Sequence, residues 1–419
     1  MTGRPRKLHP ITDVRAVLAA AARDGSTERV PLDRALGARL ARDIRVDRDV
    51  PPFDRAAVDG FAICLPKNRP RGPLCAEEFR VVGVLAAGQS RRGRLRVEEA
   101  VHVMTGAPCP PGSDGVVMVE RSERMGDGVV RLSGPFDVGQ SPGIARRGED
   151  ALRGSLALPK GTLIGPPQIA VLAGVGCSQV PIYRRSRVDL WVTGDEVVAP
   201  EIKPTAAQIR NSNGPALTAM LEQSSSAHSV TSRQVKDTRA ALRRALERSK
   251  GDVIVFTGGV SMGIYDLVPP TLREAGFRVR VHGVAMRPGK PFLFAVQGTG
   301  RSRRFAFGLP GNPISSFVAG WEFLLPFLRG RSGDPITTPP SEEARLVEAI
   351  VRKPGFTQFV LGRYTRDADG LSVRPVQSHG SGDYLALGRS NCLIPFPPEA
   401  SRFEEGAVVE IHPLEGAVR

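Results

Sequence analysis

Three stretches of this 419-residue chain repeat one design, and that design limits the possible folds more than any other feature. Val188 to Val192 runs into Thr193-Gly194-Asp195-Glu196. Val253 to Phe256 runs into Thr257-Gly258-Gly259-Val260-Ser261-Met262-Gly263. Arg304 to Phe307 runs into Gly308-Leu309-Pro310-Gly311-Asn312-Pro313. Short continuous apolar runs suit strands buried on both faces, as in a parallel sheet. Glycines and small polar groups at the carboxyl ends of such strands lie where open α/β sheets bind ligands. Free amides and helix starts there favour anions. Glycine-rich turns also simply end strands. Three of them, joined by the acids Asp195 and Glu196 and by the cations of Arg287-Pro288-Gly289-Lys290-Pro291, argue for a binding edge.

Around these loops, strand and helix patterns alternate from 187 to 329. Helices are expected at Pro215–Gln223, Thr238–Ser249 and Leu267–Glu274, with a long apolar helix from Ile314 to Leu328. Strands are expected at Arg278–Val284 and Phe292–Val296. The alternation predicts a doubly wound α/β domain. Residues 51–145 read as an inserted β domain, with strands at Phe79–Leu85, Ala100–Met104, Gly115–Glu120 and Gly128–Leu132. Residues 1–50 together with 146–186 read as an extended linker domain, opening with a helix over Val14–Ala22 capped by Thr12-Asp13. After Gly330-Arg331-Ser332-Gly333-Asp334-Pro335, residues 330–419 carry short strands and turn signals, which predicts a small β-barrel.

Composition removes several classes. No apolar run reaches the ~18–20 residues of a membrane helix, and no signal-type stretch follows the basic N-terminus, so a soluble, cytoplasmic protein is expected. Five scattered cysteines without a CxxC, and six histidines without an HExxH, suggest neither a disulfide framework nor a zinc hydrolase. The formal net charge is +15, and only 8 of the 58 basic residues are lysine. Arginine in such excess suits a bidentate grip on phosphates and other oxyanions. The basic runs Arg91-Arg92-Gly93-Arg94-Leu95-Arg96 and Arg301-Ser302-Arg303-Arg304 lack interleaved aromatics, so nucleic acid is not an expected partner.

A second group of motifs precedes the α/β region. Pro51-Pro52-Phe53-Asp54-Arg55-Ala56-Ala57-Val58-Asp59-Gly60-Phe61 sets two carboxylates among rigid prolines. Met104-Thr105-Gly106-Ala107-Pro108 is a rigid turn with a hydroxyl, and Arg146-Arg147-Gly148-Glu149-Asp150 pairs two guanidiniums with two acids. Each alone reads as a solvated turn or local ion pair. Together, carboxylates at 59, 150, 196 and 266 suit a hard cation such as Mg²⁺, if the fold brings them together.

In these motifs, with Asn211-Ser212-Asn213 added, nearly the whole chain resembles the molybdopterin molybdenumtransferases, the family of bacterial MoeA and the gephyrin E domain. The resemblance implies a homodimer of four-domain subunits. It implies a reaction in which molybdate and adenylylated molybdopterin meet, Mg²⁺ assists cleavage of the AMP link, and molybdenum stays on the dithiolene. Glu196 and Asp266 are implied as organisers of metal and phosphate, with Asp59, Thr105 and Asp150 contributed by the partner subunit. Gly258, Gly259, Ser261, Asn213, Arg147, Arg287 and Lys290 are implied as substrate contacts, and Pro310 and Pro313 as shapers of the pocket. The molybdopterin adenylyltransferase and apo-molybdoenzymes are the implied protein partners. Ile264 and Lys236 depart from the family pattern where acids are common, Arg287 stands where lysine is common, and Gly355–Phe359 lacks an arginine for which Arg363 is the substitute. A catalytically weak paralogue serving as a molybdopterin-binding scaffold is the alternative reading.

Overall fold

The computed structural model describes residues 8–23, 25–69, 74–134, 142–224, 227–260, 266–336 and 338–414. They form two compact units. The first comprises the described parts of Met1–Arg42, Lys160–Pro166 and Gln179–Arg419, and the second those of Asp43–Pro159 and Pro167–Ser178.

The first unit is built on a six-stranded sheet ordered Ala227–Val235, Ser186–Thr193, Val253–Thr257, Arg304–Leu309, Leu293–Gln297 and Arg278–His282. The first four strands are mutually parallel, with Val188 opposite Val253 and Val253 opposite Phe305; the last two are antiparallel. All five residues of Val253–Thr257 are buried, as a central strand covered on both faces requires. Helices Asn213–Gln223, Arg239–Arg248, Val268–Glu274 and Pro313–Ala319 join the strands. Phe292, Phe294, Phe305, Phe307, Phe323 and Phe327 stack in the core at centroid separations of 4.6 to 6.2 Å. Each such ring contributes about 2–3 kcal/mol through burial.

Helix Ile11–Ala22 lays Ile11, Val14, Leu18 and Ala22 into the same core, a 3.6-residue spacing. It starts earlier than the expected Thr12-Asp13 cap. Pro10 is the capping residue, without a side-chain bond, because burying Ile11 draws the first turn one step back. The expected long helix runs from Pro313 to Arg331 but widens to a π-turn at Gly320–Leu324. Pro326 has no N–H for the carbonyl of residue 322, and the wide turn relieves that defect.

The same turn aims Glu322, 1% exposed, at Arg15 and His412. Arg15 Nη2 donates to its Oε2 at 2.6 Å, and His412 Nδ1 lies 2.7 Å from its Oε1. His412 sits on Val408–Pro413, one of five strands that close into a barrel in the order Thr357–Asp367, Gly370–Pro375, Glu342–Leu346, Val408–Pro413 and Cys392–Phe396, which returns to Thr357–Asp367. Leu346, Val360, Val373, Ile394, Phe396 and Ile411 fill it.

In the second unit a six-stranded sheet runs Gly115–Met118, Gly60–Ile63, Glu99–Val103, Leu74–Leu85, Val129–Gly134 and Ser122–Gly126. Phe61, Ile63, Phe79, Val117, Val130 and Leu132 form its core. Among the described residues, no helix is long and apolar enough to cross a membrane.

Candidate active site

The carboxyl ends of the parallel strands open into a cleft of about 1200 Å³. Nine expected residues line it: Asn213, Glu196, Gly258, Gly259, Asp266, Arg287, Lys290, Pro310 and Pro313. They come from six separated stretches of chain, and strand order brings them together. Ser261, Met262, Gly263 and Ile264 lie outside the described residues.

Local geometry explains several of these positions. Gly258 adopts φ +91°, and a Cβ there would meet Thr193 Oγ1 at 2.6 Å and Thr193 O at 3.0 Å. The loop therefore passes hard against the neighbouring strand, which only glycine allows. Gly258→Ala is expected to destabilise the protein by about 1–3 kcal/mol and to lower its urea midpoint; an unchanged midpoint would count against this account of the loop. Asn213 Nδ2 donates to Gly311 O at 2.7 Å, so this side chain fastens the Pro310 loop to the start of its own helix. Asn312 Nδ2 donates to Ser381 Oγ at 2.8 Å, which brings Ser381 and Tyr384 into the cleft wall.

Arg287 is held from beneath. Met286 and Arg287 pair in parallel with Thr357 and Gln358 of the barrel, and the guanidinium lies 4.6 Å over the Phe356 ring. Stacking of this kind holds a guanidinium and leaves its donors for an anion. Arg363 sits exposed on a barrel strand and does not line the cleft.

The structure adds residues that the sequence reading passed over. Arg210 is a third cation of the cleft, and Asp237 a third acid. Asp237 lies two residues beyond the parallel edge strand Ala227–Val235, so the strand-end rule that found Glu196 also finds it once that strand is recognised. Lys236 is exposed and absent from the lining, while its neighbour Asp237 supplies the carboxylate expected near that position. Burial pushes the Asp237 carboxyl above the usual carboxylate range. Thr193 opposes the rise, and the charges of Glu196, Asp195 and Asp266 add to it. These acids sense one another across an open rim. Among the described residues no three His, Cys, Asp or Glu side chains close into a metal cage. An open acidic rim fits Mg²⁺, which is commonly held by one or two carboxylates and completed by substrate phosphates.

The remaining expected residues belong to the second unit. Residues 55–56 pair with 144–145 on one side, Arg55 bridges Pro108, and Ala56 N donates to Ala107 O at 2.9 Å. The three motif stretches are thus woven together. Asp59 accepts from Thr105 N at 2.6 Å and from Thr105 Oγ1 at 2.7 Å, and these donors hold its carboxyl below the usual range. Thr105→Val is expected to raise the Asp59 pKa toward 3.8, read by NMR titration; an unchanged value would refute the assignment of the hydroxyl as a donor. The guanidiniums of 146 and 147 reach acids that lie earlier in the chain than Glu149 and Asp150. Arg146 Nη1 bonds Asp54 at 2.6 Å and Arg147 Nε bonds Asp49 at 2.7 Å, because the returning chain sets the earlier acids beside them. Asp150 is exposed.

Residues 9–176 match the MoeA N-terminal region (domain I and II), 189–330 a probable molybdopterin binding domain, and 343–414 the MoeA C-terminal region (domain IV). The chain is 32% identical over 384 residues to the molybdopterin molybdenumtransferase of Staphylococcus aureus, covering 91% of this chain and 90% of that protein. It is 31% identical over 395 residues to that of Bacillus subtilis, covering 93% and 90%. Its fold matches the molybdopterin biosynthesis MoeA protein of Pyrococcus horikoshii with a TM-score of 0.80 at 28% identity, over 98% of this chain and 100% of that one. These matches place the chain among the transferases of molybdenum cofactor biosynthesis. The chain belongs to the molybdopterin molybdenumtransferase family.

Proposed function

We propose that this chain transfers molybdenum from molybdate to adenylylated molybdopterin with Mg²⁺-dependent release of AMP. The observation that carries this reading is the gathering of nine expected residues on one cleft, where Arg210 and Asp237 bring the cations to three and the acids to three. Cleaving a phosphoanhydride needs positioning and charge neutralisation more than a covalent nucleophile, and the cleft is built for both. Arg287 and Lys290 hold the oxyanion, Arg210 adds positive charge, and the loop at Gly258 and Gly259 brings backbone close to the phosphates. Glu196 and Asp266 would hold Mg²⁺, which supplies neutralisation of developing phosphate charge. Asp237, crowded by those acids, keeps a proton more readily than an ordinary carboxylate. Pro310 and Pro313 stiffen the wall that shapes the substrate.

The protein acts as a homodimer in this reading, and Asp59, Thr105 and Asp150 of the partner subunit complete the site. Purified protein given Mg²⁺, molybdate and adenylylated molybdopterin should release AMP. No release at any molybdate concentration, from folded protein that still binds the substrate, would favour the scaffold reading instead. The shared site has its own test. Asp59→Ala and Asp266→Ala should each be inactive alone. A mixed dimer of the two regains one intact site of two, so a random mixture should recover about a quarter of full activity. A mixture no more active than its components would reject the shared site.

A further inference from the structure

Arg287 reaches the cleft from a two-residue strand whose other member, Met286, is fully buried. The backbone is fixed by that anchor, but a long guanidinium side chain still has rotamer freedom to lose when it grips an anion. No carboxylate pairs with it among the described residues. What it meets is the Phe356 ring of the barrel, 4.6 Å from the guanidinium carbon. Phe356 is half-buried and does not line the cleft. Backbone bonds fasten the chain on either side of the ring: Gly355 N donates to Pro398 O at 2.7 Å, and Thr357 N donates to Ala285 O at 3.2 Å. The stretch Gly355–Phe359 has no cation of its own, so at this edge the barrel gives the site a ring in place of a charge.

We infer that Phe356 is a positioning residue for the oxyanion: the barrel sets the anion affinity of the cleft through a ring that does not touch the substrate. This rests on the reading of Arg287 as an oxyanion ligand. A guanidinium is a flat plate. It can lay one face on a ring while its edge presents two parallel N–H donors to an oxyanion. A lysine ammonium is a compact point charge without separate face and edge, so turning it toward an anion takes it off the ring. The ring therefore acts with arginine and not with lysine. It keeps the plate in the orientation that binding needs, so less freedom is lost when the anion arrives. Arg287 and Phe356 form one unit, drawn from the loop of the α/β layer and the rim of the barrel.

Calorimetric titration of the purified protein with molybdate separates this role from a structural one. Phe356→Leu keeps apolar bulk and removes the π-face, and should weaken molybdate binding about fivefold. Phe356→Tyr keeps the face and should stay close to the parent. Arg287→Lys keeps the charge, yet should weaken binding by at least as much as Phe356→Leu does. In the Arg287→Lys background, Phe356→Leu should leave the affinity almost unchanged, since no guanidinium remains for the ring to hold. A general loss of folding would weaken both backgrounds alike, so the comparison between them isolates the positioning.

Equal weakening by Phe356→Leu in both backgrounds overturns the inference, because the ring then serves the fold and not the guanidinium. So does unchanged affinity after Phe356→Leu in the parent, or a Phe356→Tyr variant as weak as Phe356→Leu. Tighter binding after Phe356→Leu overturns it as well, since the ring would then be holding Arg287 back from the anion. No turnover enters these titrations, so they stand apart from the proposed reaction. The expected coupling without AMP release would refute the reaction and keep the positioning role, and AMP release without the coupling would do the opposite.

Discussion

Glu196→Gln and Asp266→Asn, made singly, are expected to lower AMP release from adenylylated molybdopterin by about 10²–10³-fold, or ~2.7–4 kcal/mol of transition-state stabilisation. Both substitutions keep size and remove charge. Glu196 is exposed and Asp266 half-buried, both on the cleft wall, so neither change empties the core. The loss should fall on kcat more than on KM, because charge at the reacting phosphates is needed most as the bond breaks. Steady-state kinetics with saturating Mg²⁺ and molybdate reads both constants. Variants within threefold of the parent would mean that these acids do not organise the reaction.

Glu322→Gln is expected to have the largest effect on stability, about 3 kcal/mol. The side chain is fully buried between Arg15 and His412, and an amide removes the charge that Arg15 and the protonated form of His412 face. Three parts of the unit meet at this point: the N-terminal helix, the π-turn and a barrel strand. The pH dependence carries a second signature. Burial lowers the His412 pKa, but Glu322 and then Glu410 outweigh it, so the folded-state value lies above the ordinary 6.5. A group whose pKa is raised on folding contributes its full stabilisation below the unfolded value. That contribution then fades as pH climbs from 6.5 through the folded value. Urea denaturation across this range should show the parent losing stability with rising pH. Glu322→Gln should be weaker at the low end and flatter throughout, and a variant with the parent's slope would disprove the role of the pair.

Much of the α/β layer was legible because its central strands are uninterrupted apolar runs. Val253–Thr257 has no solvent face, so its sequence admits few other readings. The edge strand Ala227–Val235 is mostly polar, since one edge and much of its surface face water, and its burial alternates weakly. Losing that strand from the reading also lost Asp237 at its tip. Gly60–Ile63 escaped for the opposite reason: four residues, all buried, are too short to show a period, and they sit inside a motif rich in turn residues. The π-turn at Gly320–Leu324 has no pattern of its own; Pro326 and the buried Glu322 were its traces in the sequence. At the site, loops at strand ends could be placed because topology fixes where parallel strands finish. The bond between Asp59 and Thr105, 46 residues apart, and the pairing of Arg147 with Asp49, 98 apart, depend on how the second unit doubles back, which spacing does not encode.

The most direct measurement is a crystal of this protein soaked with molybdate, Mg²⁺ and adenylylated molybdopterin. The account predicts the oxyanion against Arg287 and Lys290, with the metal beside Glu196 and Asp266. An oxyanion seated instead in the basic hollow of His9, Arg273, Arg278 and Arg280, with the cleft holding only water, would contradict it.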